Sequence, residues 1–258
     1  MNREGGVGKK VLIAGESWMT TSTHVKGVDE FTVHSYVEGV GPLRDALTAC
    51  GHTVVHLPAH LVPTQFPGTA EALSEYDVVI LSDIGANSLQ LSPQVFDTFQ
   101  AGEDRLAVLR EWVAHGGGLM MIGGYLSFSG FQGRAAFRQT ALADVLPVTM
   151  LAEDDRVEAP AGITPVVLDP AHPALAGCGD TWPALLGYNR VVAKADAIVP
   201  VTIGDDPLVA LAGHRRGRCA VFTSDCSPHW APPGFCEDWN GYTDLFGGLV
   251  NWAAGAGA

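Results

Sequence analysis

Four short stretches of this sequence carry the residue types that acid–base and nucleophilic chemistry need. They are Glu16-Ser17-Trp18, Asp83-Ile84-Gly85-Ala86-Asn87, Tyr125-Leu126-Ser127-Phe128-Ser129-Gly130, and Asp225-Cys226-Ser227-Pro228-His229-Trp230. Each follows a short apolar run. Glu16 is a candidate general base or substrate ligand, and Asp225 with His229 a candidate base and its orienter. Tyr125 is a candidate hydrogen-bond donor, and Ser17, Asp83, Ser127 and Trp230 are candidate substrate contacts. His24 and Lys26 could bind an anionic or hydroxylated substrate from the polar segment after the first run, and Arg134 could clamp a carboxylate in two-point fashion. Asp225 and His229 supply two donors where a catalytic zinc site needs three, and Cys219, Cys226 and Cys236 lack CxxC spacing. No metal and no cofactor is therefore assigned.

The elements that must position these residues are legible as apolar runs alternating with helical patterns. Lys9–Gly15, Thr53–Leu57, Asp77–Asp83, Leu119–Gly124 and Arg218–Asp225 read as buried strands. Pro42 opens a helix that Gly51 closes. Further helices are expected over residues 103–115, with Leu106, Leu109, Arg110 and Val113 at helical spacing, and over 240–252, with Leu245, Leu249 and Trp252 on one face. This alternation predicts an α/β fold with a mostly parallel sheet and right-handed crossovers. The prolines and β-like runs at Thr164–Leu168, Ala197–Ile203 and Leu208–Leu211 predict an antiparallel extension in the later half. Residues 16–40 read as a long polar and aromatic connection, a length that is uncommon in a loop without a role. Open parallel sheets bind ligands beyond the carboxyl ends of their strands, so the four stretches are expected to meet along one rim. No repeat or linker divides the chain, so one domain over residues 1–258 is expected.

Composition narrows the function classes. The chain has 258 residues, 47% of them hydrophobic, enough for a large core. Its formal net charge of −13 repels phosphate backbones and anionic lipid, so nucleic acid is not an expected partner. Met1–Gly6 has no apolar core of a secretory signal, and no apolar run approaches a membrane span. Five scattered cysteines fit reduced thiols, and the expected location is the cytoplasm. Self-association into a homo-oligomer is compatible with such a fold. Phe96, Phe99 and Trp112 are either its interface or core.

Ile13–Trp18, His24–Phe31, Gly123–Gly130 and Ser224–Trp230, in this order, resemble the putative glutamine amidotransferase family of the class I glutamine amidotransferase-like superfamily. The family is similar in fold to trehalose-utilisation type proteins. The resemblance implies a flavodoxin-like, doubly wound sheet. In active class I amidotransferases a cysteine sits on a strained strand-to-helix elbow in a Gly-x-Cys-x-Gly setting, activated by a histidine. The matching stretch here is Gly123-Gly124-Tyr125-Leu126-Ser127, with Tyr125 in the cysteine position and Ser127 in place of the second glycine. His229 falls where the superfamily has its histidine, and Ala231 replaces the glutamate two residues beyond it. The resemblance thus implies a protein that acts on or binds a small polar metabolite, a carbohydrate derivative by analogy, rather than hydrolysing glutamine. The other readings are a non-catalytic metabolite-binding or assembly module, and an amidotransferase with its nucleophile moved to Cys226 or Ser127.

Overall fold

The computed structural model describes residues 8–255; the Met1–Gly6 start lies outside them. Strands are numbered in chain order: β1 (Lys10–Gly15), β2 (Ser17–Lys26), β3 (Asp29–Glu38), β4 (Thr53–Leu57), β5 (Val78–Ser82), β6 (Gly118–Ile122), β7 (Val148–Met150), β8 (Arg156–Ile163), β9 (Val166–Val167), β10 (Leu185–Asn189), β11 (Val191–Ala193), β12 (Ile198–Ile203), β13 (Asp206–His214) and β14 (Gly217–Phe222). The main sheet has eight strands in the order β4-β1-β5-β6-β14-β13-β12-β9. The first five of these run parallel, and β13, β12 and β9 extend the sheet by antiparallel pairing. This is the expected α/β architecture with its antiparallel extension.

The central strands are apolar along their middles because both sheet faces are covered. Alternate residues go to opposite layers. Val11, Ile13, Val78, Ile80, Met120, Ile122, Ala220 and Phe222 pack with Leu43 and Leu47 of the helix Gly41–Ala49 and with Leu245 and Leu249 of the helix Gly241–Ala253. Leu12, Ala14, Val79, Leu81, Leu119, Met121, Cys219 and Val221 pack with Leu106, Leu109 and Val113 of the helix Arg105–Ala114. The Asp104 side chain caps that last helix by accepting from the N–H groups of Leu106 and Ala107, both at 3.1 Å. Each fully buried Val, Leu or Ile contributes about 1.5–3 kcal/mol relative to exposure, so these two layers fix the sheet and the positions of its strand ends.

Residues 16–40 are not a loop. Most of them form a ten-pair antiparallel hairpin, β2–β3, turning at Gly27-Val28. Gly27 has φ +67°, which suits the first turn position of a two-residue hairpin connection. Every residue from Trp18 to Glu38 is exposed. Phe96 and Phe99 are exposed and Trp112 is buried, so these three residues do not form one patch. No helix among the described residues is long and apolar enough to cross a membrane.

Candidate functional site

The site is built at the carboxyl ends of β1, β5, β6 and β14, where the four stretches converge. Two of the turns that leave these strands are strained. Glu16 follows β1 at φ +49°, and Asp83 follows β5 at φ +42°. Left-handed backbone costs a non-glycine residue about 1–2 kcal/mol and concentrates at functional sites. It aims two carboxyls from neighbouring strands toward the Asp225 carboxyl after β14. Tyr125, in the elbow position after β6, is not among the left-handed residues.

Glu16 is sealed, at 1% exposure. The Ser82 hydroxyl donates to its Oε2 at 2.5 Å, and the Ser227 hydroxyl to its Oε1 at 2.7 Å. Cys226 Sγ lies 3.6 Å from Oε2. Gly39 closes the roof: a Cβ there would stand 2.5 Å from Glu16 Oε1. Burial raises the Glu16 pKa to about 8, with the charges of Asp225 and Asp83 adding to the rise and the two serine hydroxyls opposing it. At neutral pH this carboxyl keeps its proton, and its own O–H then donates to one of the two serine hydroxyls, which turns to accept it. Glu16, expected as a base or substrate ligand, is sealed from solvent with both oxygens hydrogen-bonded.

Asp83 is the accessible carboxyl. It lines a cleft of about 390 Å³ together with Ser17, Trp18, Met19, His60, Ile84 and Leu126, among others. Burial raises its pKa to about 6, helped by Asp225 and opposed by the Leu126 N–H and by His229. That N–H donates to Oδ1 at 2.7 Å. The Ser127 hydroxyl accepts the Asp83 N–H at 3.2 Å, and the Ser17 hydroxyl accepts the Ala59 N–H at 2.8 Å. Both buried serines therefore hold backbone around the cleft.

Asp225 is buried, and its Oδ1 accepts the N–H groups of Cys226 (2.7 Å) and Ser227 (3.2 Å). Its Oδ2 faces His229 Nδ1 at 3.6 Å, an ion-pair distance. This carboxylate raises the His229 pKa above 6.5, against the opposing effect of burial. The half-exposed imidazole is stacked on Trp230 (5.4 Å between centroids), and the Tyr125 ring meets it edge-on at 4.5 Å. Tyr125 and Trp230 share one partner, Glu158 on β8: the phenol donates to Oε1 at 3.0 Å and the indole N–H to Oε2 at 3.1 Å. Burial and Glu158 push the phenol's pKa upward, which makes it a still weaker nucleophile.

The structure thus brings together Glu16, Ser17, Asp83, Tyr125, Ser127, Asp225, His229 and Trp230. It leaves three expected residues apart. His24 stacks on Phe31 at 4.8 Å, and Lys26 lies over the same ring at 5.7 Å, near the far end of the hairpin. An extended ten-residue strand spans about 33 Å, which removes both from the rim. Arg134 is exposed and sits over the outer ring Phe131 at 5.8 Å. The guanidinium beside the site is Arg156, fixed by Asp154 (3.0 and 2.9 Å) and 4.8 Å over the Tyr125 ring. Sequence reading also missed Ser82, Ser227, Glu158 and Arg156. Ser227 stood inside a stretch already singled out and Ser82 at the end of an expected strand, but Glu158 and Arg156 come from an antiparallel strand that carries no motif.

Glu16, Asp225 and Cys226 have potential ligand atoms within 4.8 Å of one another, a set not foreseen from spacing. The Glu16 oxygens are each hydrogen-bonded to a serine hydroxyl, and Asp225 Oδ1 accepts two backbone N–H groups. Neither relocated nucleophile fits. Cys226 is fully buried, and burial beside Glu16 and Asp225 drives its pKa well above the ordinary thiol value. Ser127 is buried with its hydroxyl engaged.

The sequence matches the family described as Putative glutamine amidotransferase over residues 10–254. The chain belongs to that family. Two solved structures share its fold closely: Cytoplasmic Protein STM3548 from Salmonella typhimurium (43% identity, TM-score 0.91, 94% of this chain and 98% of that one) and Cytoplasmic Protein STM1381 from Salmonella typhimurium LT2 (42%, 0.90, 95% and 99%). A thua-like protein from Bacteroides uniformis is similar in fold alone (13%, 0.58, 99% and 97%). No curated protein matches the sequence.

Proposed function

We propose that this chain is a cytoplasmic acid–base enzyme, or a descendant of one, for a small polar metabolite that enters the cleft at Asp83. The observation that carries the reading is the pairing of an accessible carboxyl poised near pH 6 with an imidazole poised above 6.5, both beside the buried Asp225. A carboxyl with a raised pKa and a carboxylate-paired imidazole are usual components of proton transfer. In this reading Asp83 takes a proton from a substrate seated in the cleft, and His229, oriented by Asp225 and outside the cleft's own lining, returns one from the neighbouring strand end. Tyr125 and Trp230 hold the imidazole in place, and Glu16 keeps the strand ends together as a neutral acid. Glutamine hydrolysis is not supported, because the elbow holds a phenol and Cys226 is a sealed thiol. The cleft's Trp18, Met19, Ile84 and Leu126 offer apolar walls around the Asp83 carboxyl, and sugars are the first class to test.

The experiment is proton NMR in D2O of a panel of aldoses, ketoses, keto acids and glutamine with purified protein. Conversion or solvent-deuterium incorporation is expected for one class, at least 100-fold slower in Asp83→Asn and His229→Gln. Equal rates in both variants would overturn the assignment. Binding without turnover in the native chain would favour the second reading, a metabolite-binding module.

A further inference from the structure

We propose that the β2–β3 hairpin is a docking arm for a second copy of this chain. A lone two-stranded ribbon is at best marginally stable in water, yet neither strand pairs with any other among the described residues. Both outer edges carry free backbone groups, which invite pairing or cover. One face is apolar. Cross-strand pairs Trp18–Val37, Ser22–Val33 and His24–Phe31 point the same way, and Trp18, Phe31, Val33 and Val37 are exposed on it by 41, 48, 45 and 38%. At the base of the other face, Tyr36 meets His60 of the body edge-on at 5.1 Å, so that side is already partly used.

The arm's lack of charge admits a second copy as the occupant. Like chains at −13 repel, so they associate through surface that carries no charge of its own. Ser17–Val25 and Phe31–Val37 contain no Asp, Glu, Lys or Arg. Area agrees: one face of a ribbon about 33 Å long offers on the order of 700 Å², near the ~800 Å² per partner of a stable interface. Trp18 and Met19 at the arm's base also wall the cleft at Asp83, so the docked copy lies beside the mouth of the candidate site.

The test is sedimentation of the full chain, with the double variant Phe31→Ser/Val33→Asp beside it. The native chain is expected at twice its 27.1 kDa mass or a higher even multiple at micromolar concentration. The variant is expected at the monomer mass with unchanged far-ultraviolet dichroism. A second variant, Val33→Cys, guards against misfolding of the first and is expected to give an oxidised, covalently linked dimer. A native chain that stays monomeric at 100-fold higher concentration, whatever other protein then covers the arm, overturns the proposal. So does a double variant that keeps the native mass.

Discussion

Replacing Glu16 by Gln should make the protein more stable at neutral pH and flatten its pH dependence. The carboxyl is buried, and its folded pKa of about 8 stands against an ordinary value of 4.5. A carboxyl whose folded pKa is raised holds its proton more tightly when folded. Its contribution to stability is complete below about pH 4.5 and is lost progressively as pH rises toward 8. Between pH 4.5 and 7 the loss is two and a half units at about 1.4 kcal/mol each, on the order of 3 kcal/mol. Glutamine keeps the length and one acceptor oxygen, and the Ser82 and Ser227 hydroxyls can rotate to serve the new amide. Urea unfolding of both proteins at half-unit steps from pH 5 to 8 measures the effect. The native curve should fall toward the higher pH while the variant's falls less, the gap widening to a few kcal/mol. Two parallel curves would refute the claim that Glu16 keeps a proton in the folded state.

Three further outcomes follow from the same geometry. Gly39→Ala should destabilise by about 2–4 kcal/mol in thermal or urea unfolding, since its Cβ would fall 2.5 Å from Glu16 Oε1 and 2.8 Å from Ser227 Oγ. Iodoacetamide at pH 8 should leave Cys226 unlabelled in the native protein and label it after unfolding, read by peptide mass, because the thiol is fully buried with its pKa raised. The His229 imidazole should titrate above 6.5 in histidine NMR and return toward the ordinary value in Asp225→Asn. Because its folded pKa is raised, its contribution to stability is present at low pH and lost as pH rises through that value.

The buried strands were legible because each is apolar throughout and ends in a glycine or a polar residue, as in Leu12–Gly15 and Val78–Ser82. The hairpin was not, because its strands are exposed on both faces and β2 reads as a run of Thr and Ser with no regular apolar–polar alternation. Its signal lay in propensity: Thr20, Thr21, Thr23, Val25, Thr32, Val33 and Val37 are β-branched, with glycine at the turn. Site residues that leave the ends of parallel strands were found, because topology fixes where such ends go. Roles were less visible. Glu16 and Asp83 look alike in sequence, and only the packing of Gly39 and Ser227 around one of them separates a sealed acid from an accessible one. Arg156 displaced Arg134 for a similar reason: its neighbour Asp154 fixes it over Tyr125, a contact that spacing does not encode.

The most direct measurement is the carboxyl-carbon NMR titration of Asp83 in selectively labelled protein. Burial beside Asp225 at the sheet end should place its midpoint at about 6, two units above the usual aspartate value. A midpoint near 3.8 would mean that the carboxyls do not share one desolvated site, and acid–base chemistry at Asp83 would have no basis.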